Sequence, residues 1–322
     1  MGKPLKLTGD VIETEARAAA NAAKSALGSL FRLLVILGIS YVILGPLIGI
    51  LASSFFSDSD AYSPLVYIIP QQPTLERYSL AITRLDFFNV ITKDLAYVLA
   101  ITAIQVLVCS FVGYGFARFD FPFKNVLFGC VIVMIVIPTH SVMLPLYIAF
   151  RKFDPLGLMT LFAGGPINLL GTPAPVAIMS VLGCGLRSGV FIYIFNQFFR
   201  GLPKEIEEAA FVDGAGPFYT YFRIMLVNAA PSVLTVAIFS MVWQYNDTFM
   251  ANLFNLSGNM ILSKRITSLQ ATLGNLDRIL DPGISQLYVY AGIVMMLMPI
   301  IIIYVVLQRQ FIEGVERSGI VG

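Results

Sequence analysis

The chain has 322 residues, of which 57% are hydrophobic and 12% charged. A soluble domain carries about 25% charged residues, and no single core at this length hides so many apolar side chains. Lipid must serve as the solvent over much of the surface, which excludes an ordinary soluble enzyme, a disordered chain and a disulfide scaffold. The 21 Lys and Arg against 19 Asp and Glu show no concentrated basic face for nucleic acid.

In chain order, residues 1–30 are polar, alanine-rich and mixed in charge. They lack the basic start and brief apolar core of a cleaved signal. We read them as an uncleaved cytoplasmic segment with a short amphipathic helix over 11–27, and residues 31–322 as one membrane domain. A spanning helix needs about 20 apolar residues to cross a ~30 Å hydrocarbon core. Residues 33–52 and 95–117 satisfy this without a charge. Residues 126–150 form a third span in which Pro138 and Pro145 predict kinks. A fourth is expected over about 179–199, and 229–249 and 287–307 bring the total to about six.

Between the third and fourth spans, residues 154–177 are apolar but broken by Gly164, Gly165, Pro166, Gly171, Pro173 and Pro175. The stretch reads as a connection packed against protein, re-entrant in one version. The alternative is an additional span, which would reverse the sidedness of everything after it. Lys and Arg favour one side: Arg118, Lys124, Arg200, Lys204 and Arg223 join Lys3, Lys6 and Arg17 there. By the positive-inside rule both termini are expected in the cytoplasm. Cys109, Cys130 and Cys184 lie in apolar stretches without metal or disulfide spacing, and read as small packing residues.

The most informative stretch is 202–227, LPKEIEEAAFVDGAGPFYTYFRIMLV, on the predicted cytoplasmic side. Pro203 suits the first turn of a helix, and Glu205, Glu207 and Glu208 complement the positive end of its dipole. Asp213-Gly214 supplies a stop with a glycine for the left-handed conformation, and Gly216-Pro217 starts a second helix. Taken alone, this is a helix, a sharp turn and another helix; a generic amphipathic connector fits the same residues.

The spacing resembles a known pattern. Glu208-Ala209-Ala210, three residues, Gly214, nine residues, Ile224, one residue and Leu226 is similar to the EAA loop of ABC importer permeases, the maltose-type sugar importers in particular. Val227 stands where that pattern has proline. The resemblance extends from about residue 73 through Thr74-Leu75-Glu76-Arg77-Tyr78, Gly113 to Arg118, Ile137-Pro138 with Pro145-Leu146-Tyr147, Phe191 to Phe199, Trp243 to Asn246 and Gln308-Arg309. It implies an all-α integral membrane protein of the type I ABC importer permease fold. It also implies that Glu208 contacts a cytoplasmic ATPase, that Gly214 with Asp213 forms the turn, and that Ala209 and Ala210 permit close approach. The implied partners are a second related permease (or a second copy), two ATPase subunits that bind ATP and Mg, and an extracytoplasmic sugar-binding protein. The setting is a bacterial or archaeal cytoplasmic membrane. No G-x-x-x-x-G-K-[ST] occurs in the sequence, so the chain has no phosphate-cradling loop of its own. It is expected to be non-catalytic, with no metal and no cofactor.

For the solute path, Trp243, Gln244, Tyr245 and Asn246 combine hydrogen-bonding groups with rings that could cover sugar C–H faces. Trp and Tyr also concentrate at membrane interfaces, so an interfacial role stays open. His140, the single histidine, lacks a second metal ligand and reads as a packing or gate-lining group. Arg187 lies about 20 Å from Arg200 if helical, where it could snorkel or meet the binding protein. Gln105, Asn196 and Gln197 are weaker candidates. Rival functions are an ABC permease for another solute, such as a glycerol phosphate, and an ion-driven secondary transporter. The latter would carry acidic or basic groups inside several spans, whereas Asp247 is the acidic residue nearest a span interior here.

Overall fold

The computed structural model describes the backbone of residues 6–319 and the side chains of residues 24–306 and 308. Among the described residues the regular elements are helical, apart from one isolated antiparallel bridge between Phe153 and Ile167. The chain forms two compact units, Met1–Leu75 and Glu76–Gly322.

The first unit contains α1 (Lys6–Ser53) and α2 (Asp58–Ala61). Within α1, Lys24–Ser53 is long and apolar enough to cross a membrane. The helix expected over 11–27 falls inside α1, while the side chains of residues 1–23, Lys3, Lys6 and Arg17 among them, lie outside the described set. Ser57 and Asp60 form a reciprocal capping box at the start of α2. Asp60 also accepts from the backbone of Gln71 and Gln72 at 3.3 and 3.0 Å. Burial works against its charge, but these N–H donors hold its carboxyl below the ordinary range.

The second unit runs α3 (Glu76–Leu85), α4 (Phe87–Arg118), α5 (Lys124–Val136), α6 (Met143–Arg151), α7 (Leu158–Ala163), α8 (Ala174–Val181), α9 (Ser188–Gly201), α10 (Glu205–Val212), α11 (Pro217–Tyr219), α12 (Leu226–Asn228), α13 (Ala230–Asn246), α14 (Thr248–Leu253), α15 (Leu262–Thr267), α16 (Leu269–Leu276) and α17 (Pro282–Gly319). Among the described residues three helical stretches are long and apolar enough to cross a membrane, and five if each of two bent pairs is one crossing. The first pair breaks by 104° between α5 and the residues from Thr139. Pro138 cannot donate a backbone hydrogen bond and holds the residue before it extended, with Ile137 at φ −65° and ψ 122°.

Two expectations need correction. The helix predicted from about residue 179 to 199 is divided into α8 and α9, because Gly183 and Arg187 take positive φ of 71° and 60°. The stretch 154–177 is only partly packed against protein. Leu161 and Phe162 of α7 are exposed, while Leu169 and Leu170 pack on the core and Val176 is buried within it. The Asp154 carboxylate caps α7, accepting from Met159 and Thr160 N–H at 2.8 and 3.2 Å. The cap and the glycines at 157 and 164 fix a short helix that no span could continue.

Glycine brings the central helices together. A Cβ on Gly113 of α4 would lie 2.6 Å from Phe195 Cβ of α9, so this contact exists only without a side chain. Around it, Phe191, Phe195, Phe199, Tyr221 and Met225 form one apolar cluster. A second cluster gathers Leu85, Val98, Tyr245, Phe254, Leu262, Leu273 and Ala291.

Candidate functional site

The 202–229 stretch forms a hairpin of short helices. Gly214 takes φ 82° immediately after α10. The Ala215 N–H donates to the Ala210 carbonyl at 2.9 Å and Gly214 N–H to Phe211 at 3.0 Å, the paired bonds of a Schellman stop. No atom lies within 4 Å of where a Gly214 side chain would begin, so backbone conformation alone demands glycine here. Gly216 then caps α11, with Pro217 in its first turn. Residues Thr220–Met225 widen into a π-helical turn, a local form often found at functional sites. The chain bends by 78° at Ala229 before α13. Pro231 lies in the first turn beyond the bend, four positions after Val227.

Both arms of the hairpin dock on α4. Glu207 Oε2 sits 3.0 Å from Arg118 Nε, with the two side chains 10% and 5% exposed. Arg118 Nη2 also donates to the Leu202 carbonyl at 2.9 Å. From the second arm, the Tyr221 hydroxyl meets that of Ser110 at 2.6 Å, deep in the core. Ala210 is buried against the same body, whereas Glu208, Ala209, Asp213 and Gly214 are exposed. Successive helical residues are about 100° apart, so Glu207 facing inward leaves Glu208 facing out. Nearby, Lys124 bonds Asp120 at 3.0 Å and holds that carboxyl below its ordinary range.

The four path candidates diverge for the same geometric reason. Gln244 is buried and donates to Gln105 Oε1 at 3.2 Å. Tyr245 is 1% exposed, its hydroxyl donating to the Met296 carbonyl at 2.9 Å. Asn246 is exposed and returns its amide to the Val242 carbonyl. Trp243 stacks between Phe191 and Phe239, with ring centroids at 5.6 and 5.4 Å, and carries the Arg187 guanidinium 5.5 Å from its ring centre. His140 is exposed beside the Phe249 ring.

Next to Arg187 is a cavity of about 330 Å³, lined by residues of the broken third span, the turn before α9 and Met250. Thr139, Cys184, Arg187 and Ser188 are among its walls. Cys109 is buried as expected of a packing residue, whereas Cys130 and Cys184 are exposed in this chain. Behind the cavity, Gln105 Nε2 donates to the Leu186 carbonyl at 2.9 Å and to Ser188 Oγ at 3.3 Å. Its Oε1 accepts from Ser240 at 2.6 Å. No group of metal-binding side chains occurs among the described residues.

A family model described as "Binding-protein-dependent transport system inner membrane component" matches residues 106–317. The chain belongs to that family. As a membrane permease of ABC importers it is a transport subunit. The permease is 27% identical over 288 residues to the arabinooligosaccharides transport system permease protein AraQ of Halalkalibacterium halodurans, covering 88% of this chain and 93% of the relative. It is 25% identical over 261 residues to the trehalose transport system permease protein SugB of Mycobacterium tuberculosis, covering 79% and 85%. Its fold is similar to one chain of a crystal structure of a bacterial ABC transporter involved in the import of the acidic polysaccharide alginate. That match has a TM-score of 0.67 at 17% identity, covering 89% of the permease and 98% of the other chain.

Sequence reasoning missed Glu207 and Arg118 as a pair. The available signal was the helical face: Glu207 lies three residues before Ala210, on the side that carries no solvent-facing charge. It also missed that Gln105 is the centre of a network rather than a weak path candidate. That network joins residues 81 to 139 positions apart, and spacing does not reveal it.

Proposed function

We propose that the permease is the membrane-spanning subunit of an ATP-driven importer that translocates a carbohydrate delivered by an extracytoplasmic binding protein. The carrying observation is the exposed Glu208–Ala209 surface of α10, stopped by Gly214 and fastened from behind by the Arg118–Glu207 pair. A helix fastened on one face and bare on the other transmits an external push into α4. Separate ATPase subunits would supply that push, holding ATP and Mg in their own sites. Closure of the ATPase dimer would move α10, and with it the bundle, between two states that the partners bind unequally.

The carbohydrate reading rests on the names of the relatives, whose systems carry arabinooligosaccharides and trehalose. The same family points to a second permease subunit, related or identical, and to a bacterial or archaeal cytoplasmic membrane. Sidedness follows from charge. With α10 in the cytoplasm, Arg118, Lys124, Arg200 and Lys204 fall on the positive-inside side, and both termini would lie there too. About six crossings fit if α8 and α9 together complete one.

The test is uptake into proteoliposomes by the chain co-expressed with its ATPase and partner permease. ATP should drive sugar uptake, and Gly214→Pro should abolish it in a complex that still assembles. Uptake that ignores ATP and follows a proton or sodium gradient would overturn the assignment.

A further inference from the structure

Arg187 is an arginine in the wrong place for an ordinary packing residue. It stands at the start of α9, and thirteen residues of helix carry it ~20 Å from Arg200 at the coupling end. With the coupling end at the cytoplasmic boundary, as proposed above, this depth lies inside a ~30 Å hydrocarbon layer, where an unpaired cation is costly unless it faces a water-filled path. Arg187 is exposed in the chain and lines the cavity. No carboxylate pairs with it among the described residues. It is also the one charged residue on the cavity wall. Its guanidinium rests on Trp243, itself fixed between Phe191 and Phe239.

The backbone around it is held as firmly. Arg187 takes φ 60°, and its carbonyl accepts from Val190 and Phe191 N–H at 3.0 and 3.3 Å to open α9. The residue before it is tied to Gln105 through the Leu186 carbonyl, and the residue after it through Ser188 Oγ. Guanidinium presents paired N–H donors that match a carboxylate in two parallel bonds. Thr139 lines the same cavity, while the Ser188 hydroxyl is buried and engaged by Gln105. A neutral sugar offers no charge to pair with this exposed guanidinium, which otherwise rests on the Trp243 ring.

We infer that Arg187 recognises an anionic group on the translocated solute, and that the carbohydrate is acidic, bearing a uronate-type carboxylate. This inference rests on the carbohydrate-importer reading above and narrows its substrate class.

The test compares ATP-driven uptake of digalacturonate and of neutral galactobiose by the whole complex with its binding protein, in wild type, Arg187→Gln and Arg187→Lys. The binding protein is common to all three, so differences between them report on the permease. Wild type should prefer digalacturonate. Arg187→Gln should raise the apparent KM for it ~10-fold or more while ATPase activity of the purified complex is retained, and Arg187→Lys should recover part of the loss. An unchanged KM in Arg187→Gln overturns the inference, as does an equal loss for both sugars, which marks a packing or lipid-headgroup role. Wild-type uptake of galactobiose without digalacturonate also overturns it and leaves the importer reading standing. If ATP drives neither sugar but does drive trehalose or an arabinooligosaccharide, the inference falls alone; if it drives none of them, the carbohydrate reading falls and takes this inference with it.

Discussion

Two buried polar clusters anchor α4, and they are built from different chemistry. At its C-terminal end the link to the 202–229 hairpin is an ion pair, Arg118 with Glu207. Halfway along, the links to α9 and α13 are neutral: Gln105 joins Leu186, Ser188, Ser240 and Gln244, and Ser240 reaches Thr102 at 3.2 Å. Depth explains the contrast. At the end of α4 a backbone carbonyl, that of Leu202, helps to satisfy the charge, whereas midway along a helix long enough to span a membrane the same pair would bear a larger desolvation cost. Amides and hydroxyls supply directional bonds there without that cost.

The contrast breaks first at the charged end. Removing one member of a buried pair leaves the other uncompensated, which costs about 3–5 kcal/mol. Arg118→Met and Glu207→Gln should each lower the thermal stability of the purified complex by that order. The double variant Arg118→Met with Glu207→Leu should recover much of it, because an apolar pair often packs as well as a buried ion pair. Uptake per ATP hydrolysed should stay depressed in the double variant if the charged link sets the position of α10. Single variants within about 1 kcal/mol of wild type, a value normal for solvated pairs, would show that water reaches the pair and would remove the contrast.

At the neutral end the expected loss is smaller. Gln105→Leu strands the Leu186 carbonyl and removes the acceptor of Ser240 and Gln244. Each unsatisfied buried group costs about 1–3 kcal/mol, and relaxation or water entry offsets part of the sum. The turn carrying Arg187 should loosen with it, seen as faster backbone amide exchange at residues 186–188. Stability and exchange both unchanged would mean that helix packing, through Gly113 against Phe195, positions this turn unaided.

Local chemistry was the legible part of this molecule. Hydrophobic length over 33–52, 95–117 and 287–307 announced the longer helices found at 24–53, 87–118 and from 282 onward, and Pro203, Gly214 and Pro217 announced the hairpin because caps and turns depend on adjacent residues. The division of α8 from α9 was less visible. Gly183 hints at it, but a positive φ at Arg187 comes from tertiary bonds that no neighbouring residue encodes. The run Trp243 to Asn246 shows the limit most clearly. Composition grouped four sugar-compatible side chains, and helical geometry then pointed them in different directions, sending Gln244 to Gln105 and Tyr245 to Met296.

The smallest predicted effect separates the turn from the surface it presents. Gly214 has open space around its missing side chain, so substitution there costs only the left-handed backbone, about 1 kcal/mol for alanine and less for asparagine. Gly214→Ala should therefore barely shift the stability of the permease alone, in contrast to the Arg118 and Glu207 variants. Its effect should fall on transport, because the same substitution re-aims α10 and adds a methyl on the face proposed to meet the ATPase. Reduced ATP-driven uptake with near-normal stability, milder for Gly214→Asn, fits a turn whose value lies in where it points α10. Equal losses of stability and uptake, matching those of Glu207→Gln, would instead place the hairpin within the folded core and leave no separate coupling surface.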